Sequence, residues 1–554
     1  IRSLSAAGAV ALGACAPGEE APPGPASPRP EASPEATARR VTLRLPGEDS
    51  GFPSPFAYRR GPGYVQMSFL YDTLLWKDST GELLPWLAQH WDRSDDGTVY
   101  TFDLREGVRW HDGRPLTPDD VVFTFDYYAS QRVSPQVIVQ PVPGIAQVNA
   151  TGERTVEFHL EHPIVTFEQF GGVGAVPIVP RHIWEGIDNA AQATDPELLV
   201  GSGPYRLQSY SPGEGAYLYR ANDDFFLGAP FVERIENIPV GDELTALLAG
   251  EVAAASGSGL RPDALAPFEA AANFEILTAP PGSSTLALYW NLARGGALAD
   301  LRFRRACCHA IDREDMVRRL FGGNGTTGNP GWIPPEHPYH VDVEQYPFDL
   351  DRARRLLDEA GYAAGPDGVR QDRDGRPLRF TLLVAAPPPP AVDLVVGALR
   401  AIGVDLAPQA LDTPTFNQRM IAGDSDMSMI GSGGMNSDLA PDYMRLVYAS
   451  TTELTQHAQG YANARFDRLA EEQLRTLDEA ERKDTVARMQ EIVAGDVPLL
   501  PLFYPDSFSI HNRQVFDQWY YTTGGVAGVI PTTHNKQLFV TGLPTGLTIR
   551  PFEE

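Results

Sequence analysis

Tyr71-Asp72-Thr73-Leu74-Leu75-Trp76 opens the stretch of sequence that says most about the fold. It continues through Gly81-Glu82-Leu83-Leu84-Pro85-Trp86-Leu87-Ala88 and closes at Trp91. Further short blocks follow in order along the chain: Asp96-Gly97, Tyr100-Thr101-Phe102, Leu104-Arg105-Glu106-Gly107-Val108, His111-Asp112-Gly113, Leu116-Thr117, Asp120-Val121-Val122, Gly201-Ser202-Gly203-Pro204-Tyr205, Arg220, Asn222, Asn291, Arg302, Arg305-Ala306, Ala310-Ile311-Asp312-Arg313, Ala353 to Tyr362, Phe466-Asp467 and Pro498 to Leu502. So many short motifs in a fixed order along one chain are a specific signature of a single protein family.

The composition is that of a folded protein with several lobes. Of the 554 residues, 42% are apolar and 10% aromatic, and at about 150 residues per domain the length predicts three to four lobes. The net charge is −27, and the basic residues include only three lysines. Because protein surfaces that bind nucleic acids are basic, we expect no nucleic-acid partner.

The first 40 residues have the pattern of a targeting and tether segment. A short apolar stretch ends at Leu12-Gly13-Ala14-Cys15, which resembles the bacterial lipobox and predicts a signal peptide over residues 1–15 with a lipid on Cys15. The alternative is an ordinary cleaved signal with an accidental cysteine. Residues 16–40 contain seven prolines and no large apolar residue, which predicts a disordered tether. Because the chain begins at Ile1 rather than Met, we expect the natural start to lie upstream.

Strand and helix patterns are mixed through the body of the chain, which predicts an α/β fold. Thr117 and Asp120 flank a proline in a capping-box arrangement before an apolar run. We predict one helix from Asp300 to Gly322 and a long helical region from Phe466 to Val493. Apolar and polar residues alternate, as in half-buried strands, in Val41–Leu45, Tyr100–Leu104 and Thr155–Leu160.

The motifs of common enzymes are missing from the sequence. No Gly-x-Ser-x-Gly and no Walker A loop occurs, which disfavours a serine hydrolase of the α/β type and a nucleotide hydrolase. Two histidine pairs with a spacing of three, His159/His162 and His337/His340, lie in proline-containing loops and read as surface residues rather than metal ligands. We therefore predict a protein that is not an enzyme and needs no metal or cofactor.

The ordered blocks quoted above resemble the family 5 extracellular solute-binding proteins, the dipeptide and oligopeptide receptors of ATP-binding-cassette (ABC) importers. The resemblance covers about residues 41–520. It implies an α/β, periplasmic-binding-protein-like, two-lobed Venus-flytrap fold of the cluster C type with an extra subdomain in the first lobe. A ligand would bridge both lobes and stabilise the closed form.

The resemblance also implies the extent of each part of the fold. Hinge segments are expected near Leu286 and near Ser507. The predicted parts are residues 41–82, 200–284 and 508–554 for the first lobe, 83–199 for its inserted subdomain, and 285–507 for the second lobe.

One candidate binding segment is defined by the resemblance. Family peptide receptors use an acid near a Gly-Trp segment of the second lobe to take the amino group of the peptide. In the matching segment of this chain, Ser432 replaces the tryptophan and Met435 stands at the position of the acid. Asn436 follows, and Asp438 is the nearest acid that could meet a cation. If Asp438 does not reach the cleft, amino-group recognition is in doubt.

Five further residues are candidates for ligand contact. Tyr58 and Arg59 fall in the first-lobe loop that touches ligand in the family, and Arg59 is suited to pair with a carboxylate; a solvated surface arginine is the alternative. Trp290 and Asn291 follow the presumed hinge strand, and Trp332 follows a glycine-rich turn. Either tryptophan can stack on a ligand or simply cover the core.

The function favoured by the sequence is a monomeric, lipid-anchored peptide receptor in the periplasm or at the cell surface. Its partners would be the peptide and the permease and ATPase subunits of an ABC importer, with the lipid as its sole membrane contact. A receptor for an oligosaccharide or another small solute is the second hypothesis, because the usual tryptophan and acid are missing. A non-transport scaffold or signalling protein is a remote third.

Overall fold

The structure is a computed structural model. It describes residues 41–59, 61–131, 143–169, 172–279, 284–433, 435, 439–452, 457–527, 530, 532–543 and 550–551.

The strands are numbered along the chain. They are β1 (Val41–Gly47), β2 (Leu75–Lys77), β3 (Leu83–Pro85), β4 (Ala88–Arg93), β5 (Val99–Leu104), β6 (Ile145–Ala150), β7 (Thr155–Leu160), β8 (Tyr205–Ser211), β9 (Ala216–Ala221), β10 (Val232–Pro239), β11 (Ala254–Ser258), β12 (Phe274–Ala279), β13 (Ser284–Trp290), β14 (Gly325–Thr327), β15 (Ala363–Ala364), β16 (Arg370–Gln371), β17 (Arg379–Ala385), β18 (Asp405–Leu411), β19 (Met427–Gly433), β20 (Leu499–Pro505), β21 (Ser507–Asn512), β22 (Phe516–Asp517) and β23 (Arg550–Pro551).

The α-helices are numbered in the same way. They are α1 (Pro62–Ser68), α2 (Pro118–Ser130), α3 (Arg181–Trp184), α4 (Glu243–Leu248), α5 (Pro262–Glu269), α6 (Gly296–Ala299), α7 (Leu301–Ala310), α8 (Arg313–Phe321), α9 (Leu350–Ala360), α10 (Ala391–Arg400), α11 (Thr413–Ile421), α12 (Ala440–Tyr448), α13 (Ala464–Arg475) and α14 (Glu479–Asp496).

Two sheets are built from the segments assigned to the first lobe. The first has four strands in the order β1-β10-β9-β8. Its edge strand β1 runs parallel to β10, which pairs antiparallel with β9. The second sheet has three strands in the order β11-β21-β12, all antiparallel neighbours. Leu43 and Leu45 are fully buried, so the alternation that predicted β1 reflects burial of one face.

A separate four-stranded sheet lies in the segment expected to form the inserted subdomain. Its order is β4-β5-β7-β6, with antiparallel pairing throughout. Helix α2 packs beside it and begins at the predicted capping box. Thr117 Oγ1 and the Thr117 backbone N–H both donate to the Asp120 carboxylate, at 3.0 and 2.9 Å. The predicted start of this helix is therefore confirmed.

The second lobe is organised around a six-stranded mixed sheet in the order β14-β20-β13-β19-β17-β18. Alternate residues of β13 enter two different cores: Ala287 and Tyr289 pack on one face, and Leu288 and Trp290 pack on the other. Helices α7 to α10 contribute to the core that contains Trp290, whereas α12 to α14 contribute to the core that contains Tyr289. A sheet covered on both faces explains why β13 and β20 are apolar at nearly every position.

The chain passes twice between the three-stranded and six-stranded sheets. Strand β20 is followed by Asp506 alone before β21 begins, and β12 ends four residues before β13 starts. The two connections are neighbours, because Ala279 at the end of β12 pairs with Ser507 at the start of β21. The predicted hinge segments near Leu286 and Ser507 lie beside these connections. The boundaries of the lobes remain a prediction.

Two of the predicted helices are each divided in the structure. The helix that begins at Asp300 ends at Ala310, and a new helix begins because the Asp312 carboxylate accepts from the backbone N–H of Asp315 at 2.9 Å. In the same way, Asp478 caps α14 and separates it from α13. Aspartates inside a helical pattern were the available signals for these breaks. Among the residues that the structure describes, no helix is both long enough and apolar enough to span a bilayer.

Candidate ligand-binding site

A gap opens in the six-stranded sheet between the carboxyl ends of β17 and β19. Strand β19 pairs with β13 along its whole length, from Trp290↔Met427 to Ser284↔Gly433. It pairs with β17 only at Leu382↔Met427 and Leu383↔Ser428. In the described part of the chain, no ladder pairing joins β17 to the rest of β19. Strand β17 ends at Ala385, so among the described residues the backbone of β19 from Gly431 to Gly433 has a free edge on this side.

A cavity of about 520 Å³ lies beside the end of β19, next to this gap, and we call it the hinge cavity. Gly259 and Ser284 come from the segment predicted for the first lobe, while the others come from the segment predicted for the second lobe. The lining consists of Gly259, Ser284, Thr285, Leu286, Leu320, Phe321, Pro389, Pro390, Ala391, Gly431, Ser432, Gly433, Phe503 and Pro505. Ligands of open α/β sheets bind at the carboxyl ends of strands, which is where this cavity lies.

The walls of the hinge cavity are mostly apolar. The Phe321 and Phe503 rings meet edge to face with centroids 4.9 Å apart. The Thr285 hydroxyl donates to the Phe503 carbonyl at 2.9 Å, so this polar group is occupied. Ser432 lies directly across from Thr285 on the neighbouring strand and is buried. Ser432 is therefore the predicted site residue that the structure places at this cavity.

A second cavity of about 870 Å³ lies between the first-lobe loop at residues 56–59 and helix α11, and we call it the interlobe cavity. Tyr58 and Arg59, two of the candidates for ligand contact, line it together with Ala191 from the segment predicted for the inserted subdomain. Helix α11 presents the Ile421 side chain, which is 71% exposed. Residues from both lobes thus face each other across an open space.

The Arg59 guanidinium is held at the edge of the interlobe cavity by a polar network. Its Nη2 lies 2.7 Å from Asp49 Oδ2, and its Nη1 donates to the Asp49 carbonyl at 3.0 Å. The Tyr210 hydroxyl donates to Asp49 Oδ1 at 2.6 Å. Burial, and next the bond to Asp49, raise the pKa of Tyr210 well above its usual range. The arginine is thus oriented by a fixed acid while its side chain stays 62% exposed.

Neither Trp290 nor Trp332 is among the residues that line the two cavities. Both are completely buried. Trp290 is on the helix-covered face of β13, and the Trp332 ring packs edge to face on Tyr448 with centroids 5.6 Å apart. The alternation of β13 offered two faces for Trp290, and because both faces of the sheet are covered, either choice led to a core.

The Asn291 side chain also has a structural role. Its side-chain amide donates to the carbonyls of Gly423 and Ser425 at 3.0 and 2.8 Å, and its Oδ1 accepts from the backbone N–H of Ala293. The amide group thus ties the end of β13 to the loop before β19, while Oδ1 caps the turn that follows β13. Met435 is fully buried in the core. Asn436 and Asp438 lie outside the described residues, and their roles remain predictions.

Several lining residues of the hinge cavity were missed by sequence reasoning. Phe321, Phe503 and the Pro389–Pro390 pair come from separate parts of the chain, and each stands at the end of a helix or strand. A usable signal was present in the apolar run Phe380–Val384, because an apolar strand followed by a proline run marks one edge of a possible cleft. The partners from β20 and α8 could not be identified without the strand order.

A comparison with known proteins identifies the family. The sequence profile of the bacterial extracellular solute-binding proteins, family 5 Middle, matches residues 82–453. The chain belongs to this family. The resemblance drawn from the ordered sequence blocks is thereby confirmed.

Relatives and solved structures extend the match over most of the chain. The sequence is 25% identical over 531 residues to heme-binding protein A of Haemophilus influenzae, covering 91% of this chain and 93% of that protein. It is 24% identical over 457 residues to the oligopeptide-binding protein AppA of Bacillus subtilis, covering 79% and 81%. The structure of DppA from Helicobacter pylori in complex with the peptide STSA superposes with a TM-score of 0.73 at 22% identity, covering 89% and 98%.

The family 5 protein has the two-lobed periplasmic binding fold that was predicted. In that fold, the hinge cavity lies at the connection between the lobes and the interlobe cavity lies between their facing surfaces. The two cavities are therefore the candidate ligand-binding site of this family 5 protein.

Proposed function

We propose that this protein is the extracytoplasmic receptor of an ABC importer, and that it captures peptides by closure of its lobes and delivers them to a membrane permease. The observation that carries the proposal is the free edge of β19 in the gap beside β17. An extended peptide binds such an edge through main-chain hydrogen bonds, as an added strand. The exposed backbone at Gly431 and Gly433 leaves room for this approach.

Closure follows from the way the cavities are built. Arg59 and Ile421 approach the interlobe cavity from opposite lobes, so a ligand that touches both has more contacts in the closed form. A ligand shifts the equilibrium by its difference in affinity for the two forms. The ATPase subunits of the importer supply the energy for transport, so the receptor does not need to catalyse a reaction.

The residues that line the two cavities favour peptides over the other ligand classes. The tryptophans that would have formed a platform for a sugar, Trp290 and Trp332, are buried in the cores. The hinge cavity and the interlobe cavity are open rather than filled by side chains, which favours a receptor over a scaffold. Two of the three proteins compared above have peptides in their names or titles. Heme is the second candidate, because one relative is a heme-binding protein and the hinge cavity is apolar.

We also propose that the mature protein is anchored by a lipid on Cys15 and held off the membrane by residues 16–40. The support is the Leu12-Gly13-Ala14-Cys15 sequence and the proline-rich composition that follows it. Labelling with a radioactive fatty acid in cells that express the natural precursor tests this proposal. Cys15→Ser is expected to abolish the label and release the protein from membranes. Retention of the label in the variant contradicts the anchor.

The peptide assignment is tested by thermal unfolding of the purified protein with tripeptides, cellotriose and hemin. A ligand that binds only the folded state raises the midpoint of unfolding. We expect a rise with tripeptides alone. A rise with cellotriose or hemin and none with peptides overturns the peptide assignment but keeps the receptor fold.

A further inference from the structure

The hinge cavity differs from the interlobe cavity in the chemistry of its walls. Leu286, Leu320, Phe321 and Phe503 present hydrocarbon, and the proline residues add further apolar surface. Of the residues described as lining it, none is charged. The interlobe cavity, in contrast, has the Arg59 guanidinium at its edge.

The basic groups on the helix beside the hinge cavity are paired with an acid of the same helix. The Arg318 and Arg319 guanidinium groups, at the end of α8, both pair with the Asp315 carboxylate on the same helix. Asp506 follows the lining residue Pro505, and its backbone carbonyl accepts from the Gly259 N–H at 2.7 Å. Burial, and next the nearby Glu336, raise the pKa of the Asp506 carboxyl. Two acids beside the cavity therefore disfavour a further negative charge there.

The free space of the cavity reaches the backbone of β19 at Gly431. A β-carbon placed on Gly431 would have one neighbour within 4 Å, the Thr285 carbonyl oxygen at 3.8 Å. The glycine thus leaves a passage from the free edge of β19 into the apolar space. A peptide added to this edge would direct alternate side chains to the two faces of the sheet.

We infer that the hinge cavity accepts one uncharged, apolar side chain of the bound peptide and rejects an acidic one. This inference rests on the proposed function and names the ligand class of the same site. The volume of about 520 Å³ is large enough for a leucine or phenylalanine side chain together with part of the peptide backbone. An acidic side chain would lose its hydration there without gaining a partner.

The test is isothermal titration with trialanine and six derivatives in which each position in turn is leucine or aspartate. At one position we expect leucine to bind at least about tenfold more tightly than alanine, and aspartate more weakly than alanine. Equal binding of the leucine and aspartate peptides at all three positions overturns the inference and leaves the peptide receptor intact. If no peptide binds, the proposed function fails and the inference fails with it.

A variant locates the preference in the hinge cavity. Gly431→Leu fills the passage, so the affinity for the preferred leucine peptide is expected to fall at least about tenfold, toward that of trialanine. Gly186→Leu is the matched control, because Gly186 is exposed and a β-carbon there has no neighbour within 4 Å. Thermal unfolding of both variants establishes that they are folded. A folded Gly431→Leu protein with the full leucine preference overturns the assignment to this cavity.

Discussion

Lys536 Nζ donates to Asp72 Oδ1 at 2.7 Å, and both side chains are completely buried. The same carboxylate accepts from Trp86 Nε1 and from the Ser202 hydroxyl, each at 2.7 Å. The ammonium group also lies 4.1 Å from the centroid of the Trp76 ring. Burial lowers the pKa of Lys536, and the nearby carboxylate opposes that shift. One ion pair thus ties together chain segments that are more than 400 residues apart in sequence.

Removal of this lysine is expected to destabilise the protein strongly. Lys536→Met leaves the Asp72 charge buried without its counter-ion, and loss of one partner of a buried pair costs about 3–5 kcal/mol of unfolding free energy. Urea unfolding followed by tryptophan fluorescence measures the loss. Lys483→Met is the control, because Lys483 forms an exposed i,i+4 pair with Glu479 at 2.7 Å, and exposed pairs contribute little to stability. Similar losses in the two variants contradict the role given to Lys536.

Stability is expected to fall with acid because of His111. Its Nδ1 accepts from the Gly201 N–H at 3.2 Å and its Nε2 donates to the Gly203 carbonyl at 3.0 Å, an arrangement that only the neutral ring can make. Burial is the main cause that lowers its pKa to about 4. Between this value and the pKa of about 6.5 in the unfolded chain, the unfolded state binds the extra proton. The stabilisation is complete above pH 6.5, and about 3 kcal/mol is lost as the pH falls to 4.

The measurement for His111 is urea unfolding of the protein and of His111→Gln across this pH range. Glutamine can make both hydrogen bonds without titrating, so the variant is expected to have a flatter dependence on pH. Burial lowers the pKa of His534 to about 4 as well, but His534 is present in both proteins and cancels in the comparison. His90→Gln, at an exposed position, is expected to keep the slope of the parent protein. If the unfolding free energy of His111→Gln depends on pH as steeply as that of the parent protein, the prediction is wrong.

Arg59 is expected to bind the carboxylate of the peptide. Arg59→Ala should weaken a free-acid peptide by about tenfold or more and remove any preference over the same peptide with an amidated carboxyl terminus. Isothermal titration with the two peptides provides the measurement. Arg44→Ala is the matched control, because Arg44 is similarly exposed and similarly paired, with Glu236 at 3.0 Å. If Arg59→Ala still prefers the free acid, another cation binds the carboxylate.

Substitution of Gly259 is expected to destabilise the protein for two reasons that can be separated, backbone strain and a steric clash. Its φ is +63°, and a β-carbon there would lie 2.5 Å from Cδ1 of the Phe321 ring. Gly250 has a similar φ of +73° with no neighbour within 4 Å, so Gly250→Ala carries the backbone strain alone, about 1 kcal/mol. Gly259→Ala should lose clearly more in urea unfolding and also bind peptide less well, because Phe321 must move into the hinge cavity. Equal losses, with unchanged affinity, contradict the contact.

Local signals in the sequence predicted much of the fold. The Thr117–Asp120 capping box and the alternation of Val41–Leu45 act within one turn or one strand, so each could be read from a few residues. The breaks at Asp312 and Asp478 were missed, because an aspartate within an amphipathic pattern caps a new helix only when the preceding turn unwinds. The ordered blocks then supplied the family, which no single pattern contained.

The candidate site was predicted less well, for a physical reason. Tyr58 and Arg59 were found because the resemblance placed their loop at the cleft. Trp290 and Trp332 were expected at the ligand because an aromatic side chain suits a core and a binding site equally well. The gap beside β19 depends on where two strands separate, and that is a property of sheet register rather than of any residue type.

The single residue between β20 and β21 has a mechanical consequence. Strand β20 belongs to the sheet that contains the gap, and β21 belongs to the sheet of the other lobe. With Asp506 alone between them, little slack is available to absorb a change in the twist of the six-stranded sheet. A peptide that adds a strand beside β19 and changes this twist would therefore also rotate the three-stranded sheet of the other lobe. The permease would then meet a changed arrangement of the two lobes, transmitted through the backbone rather than through a series of side-chain contacts.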